Sequence, residues 1–405
     1  MKRTAAVLCL AVLTALFVGA SGHPPASHWV ATWTSMPQLT EPSNMPPAPF
    51  TGTDRVLDNA SLRQTAHVSV GGPRIRLRFS NAFGGAALPL TAVSVARPVS
   101  GAAGVSAVVP GSVVPVTFHG KPSTTVPVGA QVVSDPLPFP VRPFENITVT
   151  TYLAHGQASL SITSHPGSRT TSYLMAGDQV AALDLPGATP VDHWYFLSGV
   201  EVLSPASAVA VIGDSLSDGR GSTTNGNDRW PDVLASRVPA AVVNQAAGGN
   251  RVLQDGLGPN VLARLDRDLL ATSGVSWVIV FEGVNDIGTA TPSAAASTAA
   301  DLIDAYDQIL TRAHAAGIQV YGATLTPFGG NTGYDSPERE AARSTVNAWI
   351  RGHFDAVLDF DRVARDPAAP TRLLPAYDVG DHLHLNPAGY RALGSSIPLG
   401  LFRTG

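Results

Sequence analysis

The chain has 405 residues, 44% of them hydrophobic and 14% charged, with a formal net charge of −4. This length suggests two or three domains with ample core, and the weak acidic excess gives no reason to expect nucleic acid or an anionic membrane as a partner. The only cysteine is Cys9, so a disulfide framework is excluded and the fold must rely on its core.

The N-terminus reads Met1-Lys2-Arg3, then an apolar run from Ala5 to Phe17, then Val18-Gly19-Ala20 with small residues at cleavage positions. Residues 1–22 are therefore expected to be a signal peptide, and the protein to be secreted. The run is too short to span a bilayer comfortably, and His23-Pro24-Pro25 would end any helix, so no stable membrane anchor is expected. Cys9 lies inside this run, without the small residues that precede a lipidated cysteine.

Residues 23–200 read as an N-terminal β-rich domain. Short β-branched runs over 64–70, 74–79, 90–95 and 147–153 are separated by turn signals such as Gly71-Gly72-Pro73, which predicts a sandwich or jelly-roll-like architecture. Arg74, Arg76 and Arg78 alternate with apolar residues and are expected on the solvated face of a half-buried strand. Pro37 to Pro49 holds five prolines and reads as an extended surface segment. Trp29 and Trp33 are expected to pack, and the polar Ser164–Tyr173 stretch to be a plain interdomain loop, with a rim of the active site as the alternative. Asn59 and Asn146 begin glycosylation sequons that matter only in a eukaryotic source.

From 205 to 405 the pattern changes to strands alternating with amphipathic stretches. Strands are expected at 208–212, 240–244, 277–281, 319–325 and 356–360. Helices are expected at about 228–237, 259–272, 293–316, 336–353 and 387–401. This is the signature of βαβ units, and it predicts an α/β domain of three layers, α/β/α, around a parallel sheet.

The most informative stretch is Ala208 to Gly219, where a buried strand runs into a turn that presents Ser215 at the strand's carboxyl end. A serine hydroxyl needs a base to take its proton. Asp381 and His384, three apart, can supply one: the carboxylate accepts the Nδ1 proton and leaves Nε2 facing the serine. His382 is the rival, adjacent to Asp381 and expected to point elsewhere. Two further strand ends offer oxyanion donors, the Gly249 backbone N–H and the Asn285 side-chain amide. Beside Asp381 the base is expected to titrate somewhat above about 6.5.

In order and spacing these four blocks resemble the SGNH hydrolase superfamily, also called the GDSL esterase/lipase family, over about residues 205 to 402. The resemblance implies that Ser215 is nucleophile and first oxyanion donor, that Gly249 and Asn285 complete the oxyanion hole, and that Asp381 orients the base His384. Many relatives carry glycine where this chain has His382. No G-x-S-x-G occurs, which argues against the ordinary α/β-hydrolase elbow.

Asp214, Asp286, Asp381, His382 and His384 could in principle form a metal site, but Asp214 and Asp286 are expected to hydrogen-bond loop backbone instead, and no H-x-x-H occurs. No metal or cofactor is expected. The sequence thus predicts a secreted serine esterase acting on a small-molecule or polymer ester through an acyl-enzyme. The alternatives are a carbohydrate deacetylase and a non-catalytic carbohydrate-binding or surface protein.

Overall fold

A β-rich unit and an α/β unit follow one another in the chain, and the computed structural model describes residues 26–403. The expected signal peptide, with Cys9, lies outside the described residues. Among those residues no helix is long and apolar enough to cross a membrane.

From His28 to Ser204 the larger sheets are antiparallel. One has four strands in the order His28–Thr34, Leu197–Ser204, Ile75–Ser80, Gln131–Val133, and the other has six, with Ala60–His67 and Asn146–Leu153 at its centre. Ile75, Leu77 and Phe79 alternate inward and meet Leu62, Ala66, Ile147 and Val149 of the facing sheet in one core. The expected β sandwich is present. The predicted strand over 64–70 starts earlier, at Ala60, and the one over 90–95 breaks into Leu88–Leu90 and Ala92–Ala96.

The arginine series departs from expectation. Only Arg74 is exposed; Arg76 and Arg78 pair with Glu201, whose side chain is 1% exposed, and Ser273 Oγ of the α/β unit donates to the same carboxylate at 2.6 Å. Alternation tells which side chains face the sandwich core, but not what covers the opposite face, and here the second unit covers part of it. Trp33 packs edge-on against Trp194 with centroids 4.8 Å apart, while Trp29 lies under the Arg76 guanidinium. Asn146 is buried, with its amide donating to Gly101 O, so that sequon is not displayed.

The α/β unit carries a five-stranded parallel sheet in the order Ala241–Asn244, Ala208–Gly213, Val275–Phe281, Gln319–Ala323, Ala356–Leu358. Strand order reverses beside Ala208–Gly213, and such a switch point opens a crevice at the strands' carboxyl ends. Ser215, Gly249 and Asn285 all follow strands that meet there. Trp230–Ala235 packs with Pro387–Ser396, and Ala295–Ala315 with Pro337–His353, as the outer layers.

Two predicted helices end differently. The one over 259–272 is an α-helical Val261–Leu265 that continues as a π turn over Asp266–Leu270. The last helix stops at Ser396, because Pro398 cannot continue the backbone ladder, and Leu399–Phe402 is a separate 3-10 turn.

The units are stitched together along the sheet's first strands. Ala31 N–H donates to Ser273 O at 2.9 Å, Thr34 Oγ1 to Asn244 O at 3.1 Å, and Val242 N–H to Ser69 Oγ at 3.1 Å. Val30 packs in a small apolar cluster with Ala208 and Ala241, and Ala31 joins the α/β core itself.

Candidate active site

The strand Ala208–Gly213 is buried along its whole length and leads into a single helical turn, Ser215–Asp218. Asp214 caps that turn, its Oδ1 accepting the Leu216 N–H at 2.8 Å. Gly213 is required by space rather than by a left-handed backbone: a Cβ there would lie 2.5 Å from Ser217 Oγ and 2.9 Å from Phe281 O. Ser217 is fully buried and accepts the Trp230 Nε1–H, so of the two neighbouring serines Ser215 alone lines the open pocket.

Ser215 Oγ lies 2.8 Å from His384 Nε2, and His384 Nδ1 lies 2.6 Å from Asp381 Oδ2. The other Asp381 oxygen accepts the backbone N–H groups of Leu383 and His384 at 3.0 and 2.8 Å. One carboxylate thus fixes both the imidazole and the loop that carries it. Burial works to raise the Asp381 pKa, yet the hydrogen bonds from His384 hold it below the ordinary value. His384 departs from expectation. Burial outweighs the support of Asp381 and, with the nearby Arg220 and Arg169 charges, lowers its pKa below 6.5. His382 points elsewhere, as anticipated, with its Nδ1 2.7 Å from Asp378 and its side chain half exposed.

The oxyanion side is built by two loops. Gly249 has φ +71°, a left-handed backbone that favours glycine, and a Cβ there would push against the Leu257 side chain. Among the described residues neither the Ser215 nor the Gly249 backbone N–H meets a protein acceptor. Buried Arg264 holds the glycine loop from below through Gln245 O at 2.6 Å and Asn250 Oδ1 at 3.0 Å. Asn285 is pinned on both sides: Nδ2 donates to Asn250 O at 2.8 Å, and Oδ1 accepts from Tyr334 Oη at 2.7 Å. A carbonyl only accepts, so this fixes the amide orientation and leaves Nδ2 one further hydrogen.

Asp286 accepts Val252 and Leu253 N–H, each at 2.9 Å, the backbone role expected of it. Burial pushes the Asp214 carboxyl up to about 7 despite its bond to Leu216 N–H. Among the described residues no three His, Cys, Asp or Glu side chains cluster as metal ligands.

The β-rich unit reaches this site, which the sequence did not reveal. His165 donates to Met36 O through Nδ1 at 3.0 Å and meets Asp218 Oδ1 through Nε2 at 2.9 Å. Asp218 Oδ2 in turn accepts the Gly248 N–H at 3.1 Å, next to Gly249. Gly167 allows the approach, since a Cβ would lie 1.8 Å from Asp218 Oδ2. The Ser164–Tyr173 segment follows the alternative reading rather than the plain interdomain loop: it rims a pocket of about 540 Å³ that also holds Ser215 and His384. The Pro37–Pro49 segment forms part of the same wall through Gln38, Ser43 and Asn44. The density of Gly, Ser, Thr and His in the Ser164–Tyr173 loop was the available signal.

Residues 211–392 match the model of the GDSL-like Lipase/Acylhydrolase family. No curated protein matches the chain. Among solved structures the chain is similar to a protein of the lipolytic G-D-S-L family from Desulfitobacterium hafniense DCB-2, at 22% identity and TM-score 0.38 over 47% of this chain and 97% of that one. It is also similar to a GDSL-like lipase from Bacteroides thetaiotaomicron VPI-5482, at 16% identity and TM-score 0.36 over 47% and 84%. A third is the acetyl xylan esterase AlAXEase, at 16% identity and TM-score 0.37 over 47% and 96%. The family resemblance of this chain thus lies in its α/β unit, which matches the GDSL-like Lipase/Acylhydrolase family model, a family whose general chemistry is ester hydrolysis.

Proposed function

We propose that the protein is a carboxylic ester hydrolase working through an acyl-enzyme on Ser215. The carrying observation is the Ser215 Oγ to His384 Nε2 to Asp381 relay, at 2.8 and 2.6 Å. Ser215 Oγ attacks the ester carbonyl as His384 Nε2 takes its proton. The oxyanion accepts hydrogen bonds from the N–H groups of Ser215 and Gly249 and from Asn285 Nδ2. His384 then protonates the departing alkoxide, leaving the acyl group on Oγ. Water attacks that ester, His384 takes its proton, and collapse returns the proton to Ser215 with release of the acid.

A deacetylase acting on a carbohydrate is the second form of this reading, favoured by the polar wall of Gln38, Ser43 and Asn44. The few apolar side chains of the pocket, Leu257, Leu383 and Tyr334, suit a short acyl group better than a long chain. The intact relay speaks against a purely carbohydrate-binding or surface protein. Export rests on the N-terminal sequence pattern alone.

The test is hydrolysis of para-nitrophenyl esters of graded chain length beside acetylated xylan, with a fluorophosphonate as covalent probe. Short esters should turn over, and Ser215 should carry the label. Absence of hydrolysis and of labelling in the folded protein would contradict the proposal.

A further inference from the structure

Two guanidinium groups in the pocket wall have no employment in the relay. Arg169 comes from the β-rich unit and Arg220 from the loop after the nucleophile's turn, and both line the cavity that holds Ser215 and His384. Among the described residues neither side chain has a carboxylate within ion-pair distance or a hydrogen-bond acceptor, and the Arg169 Nε is buried without a partner. A buried guanidinium nitrogen without an acceptor is costly, and such groups are ordinarily paired. The carboxylates of the same wall are already engaged. Glu41 accepts from Gln38 and Asn44, and Asp218 from His165 and Gly248. None of them is free to neutralise the arginines.

Arg169 is also held with care. It sits at φ +49°, a left-handed backbone uncommon for a non-glycine residue. Its carbonyl accepts the Asn225 N–H at 2.8 Å, and Asn225 Oδ1 accepts the Thr171 N–H at 2.8 Å, so the α/β unit clamps the loop at the arginine and just after it. His165 and Gly167 anchor the same loop to Asp218. The cationic head is thereby delivered from one unit into the reaction pocket of the other. The charge of both arginines is felt at His384, where each acts to lower the imidazole pKa.

The geometry points to an anion subsite formed by Arg169 and seconded by Arg220, so that the preferred ester carries a carboxylate beside the scissile bond. This rests on the esterase reading above. A guanidinium presents a planar fork of donors matched to a carboxylate, a fit that a lysine ammonium does not reproduce. A free carboxylate on the alcohol part and one on the acyl part are both compatible with this chemistry.

The experiment is steady-state hydrolysis by the full chain of two matched pairs. In the first, para-acetoxybenzoate is compared with its methyl ester, which places the charge on the alcohol. In the second, mono-para-nitrophenyl adipate is compared with para-nitrophenyl hexanoate, which places it on the acyl group. In at least one pair kcat/KM should favour the anion, and that pair locates the subsite. Arg169→Gln should reduce the anionic-to-neutral ratio roughly tenfold to a hundredfold, chiefly through KM, with Arg169→Lys intermediate. Arg220→Gln, at an exposed position, should reduce the ratio less and serves where the Arg169 variants fold poorly. Benzoate should inhibit more strongly than benzamide, and this difference should vanish in Arg169→Gln.

Hydrolysis of the neutral esters without any anionic preference, or a ratio untouched by both substitutions, would overturn the subsite while leaving the esterase intact. A variant that only moves the pH profile, with the ratio preserved, would also overturn it, since the arginine would then act on His384 alone. Failure to hydrolyse any of the four esters would instead contradict the esterase reading.

Discussion

Two histidine–aspartate pairs stand near one serine, and they differ in what the second ring nitrogen meets. His384 binds Asp381 through Nδ1 and turns Nε2 to the Ser215 hydroxyl, whereas His165 binds Asp218 through Nε2 and Met36 O through Nδ1. The first imidazole has a nitrogen directed at a proton it can take; the second has both nitrogens committed to holding the β-rich unit against the oxyanion loop. Pairing with a carboxylate therefore does not make a histidine a base. The free nitrogen's partner does.

The comparison is broken most severely by removing each ring in turn. His384→Ala should lower kcat/KM for a simple ester by roughly 10⁴-fold or more, because the relay acts as a unit. His165→Ala should cost only about tenfold in kcat while lowering stability by about 1–3 kcal/mol, since the buried Asp218 carboxylate loses its partner. Equal losses of activity from the two substitutions in folded protein, followed by steady-state kinetics and thermal melting, would erase the distinction.

Between these extremes stands Asn285, which has both a scaffold bond and a spare hydrogen. Asn285→Ala should slow single-turnover acylation by roughly 100- to 1000-fold with little change in ground-state binding. A near-normal acylation rate in a destabilised variant would assign it to the scaffold beside Asn250 and Tyr334. Asp214→Ala should do less, costing about 0.5–2 kcal/mol of stability as a lost cap, while Asp214→Asn, which keeps the acceptor for Leu216 N–H, should melt close to the parent.

The smallest effect concerns pH. The His384 pKa is depressed, so the neutral imidazole persists to lower pH and the acid limb of kcat/KM should fall below 6.5. Activity should be lost as pH drops through that depressed value and recover on the alkaline side. Replacing Arg169 or Arg220 by Gln removes a positive charge and should move the limb upward. An acid limb above 6.5 in the parent enzyme would mean that Asp381, not burial, dominates.

How far the sequence carried these conclusions differs between the two units. Ser215, Gly249, Asn285, Asp381 and His384 were legible because each ends a buried apolar strand or sits in a short fixed spacing, and a parallel sheet brings such ends to one edge. The parallel sheet followed from alternation of strand and helix, whereas its strand order and switch point appear only in the structure. His165 and Arg169 were not legible, since they lie in an aperiodic loop and their meaning depends on contact with Asp218 and Asn225 of the other unit. The same holds for Arg76 and Arg78, whose outward face is met by Ser273 across the boundary. The depressed titration of His384 runs against the sequence expectation because burial cannot be read from a D-x-x-H spacing.

The central claim, that Ser215 receives the acyl group under the control of His384, is tested most directly by trapping the intermediate. The full chain is mixed with para-nitrophenyl acetate, acid-quenched during turnover, and its peptides are mapped by mass spectrometry. The expected result is one acetyl group on Ser215, absent in Ser215→Ala and greatly reduced in His384→Ala. Turnover with acetyl on another residue, or turnover by Ser215→Ala at the parent rate, would contradict the account.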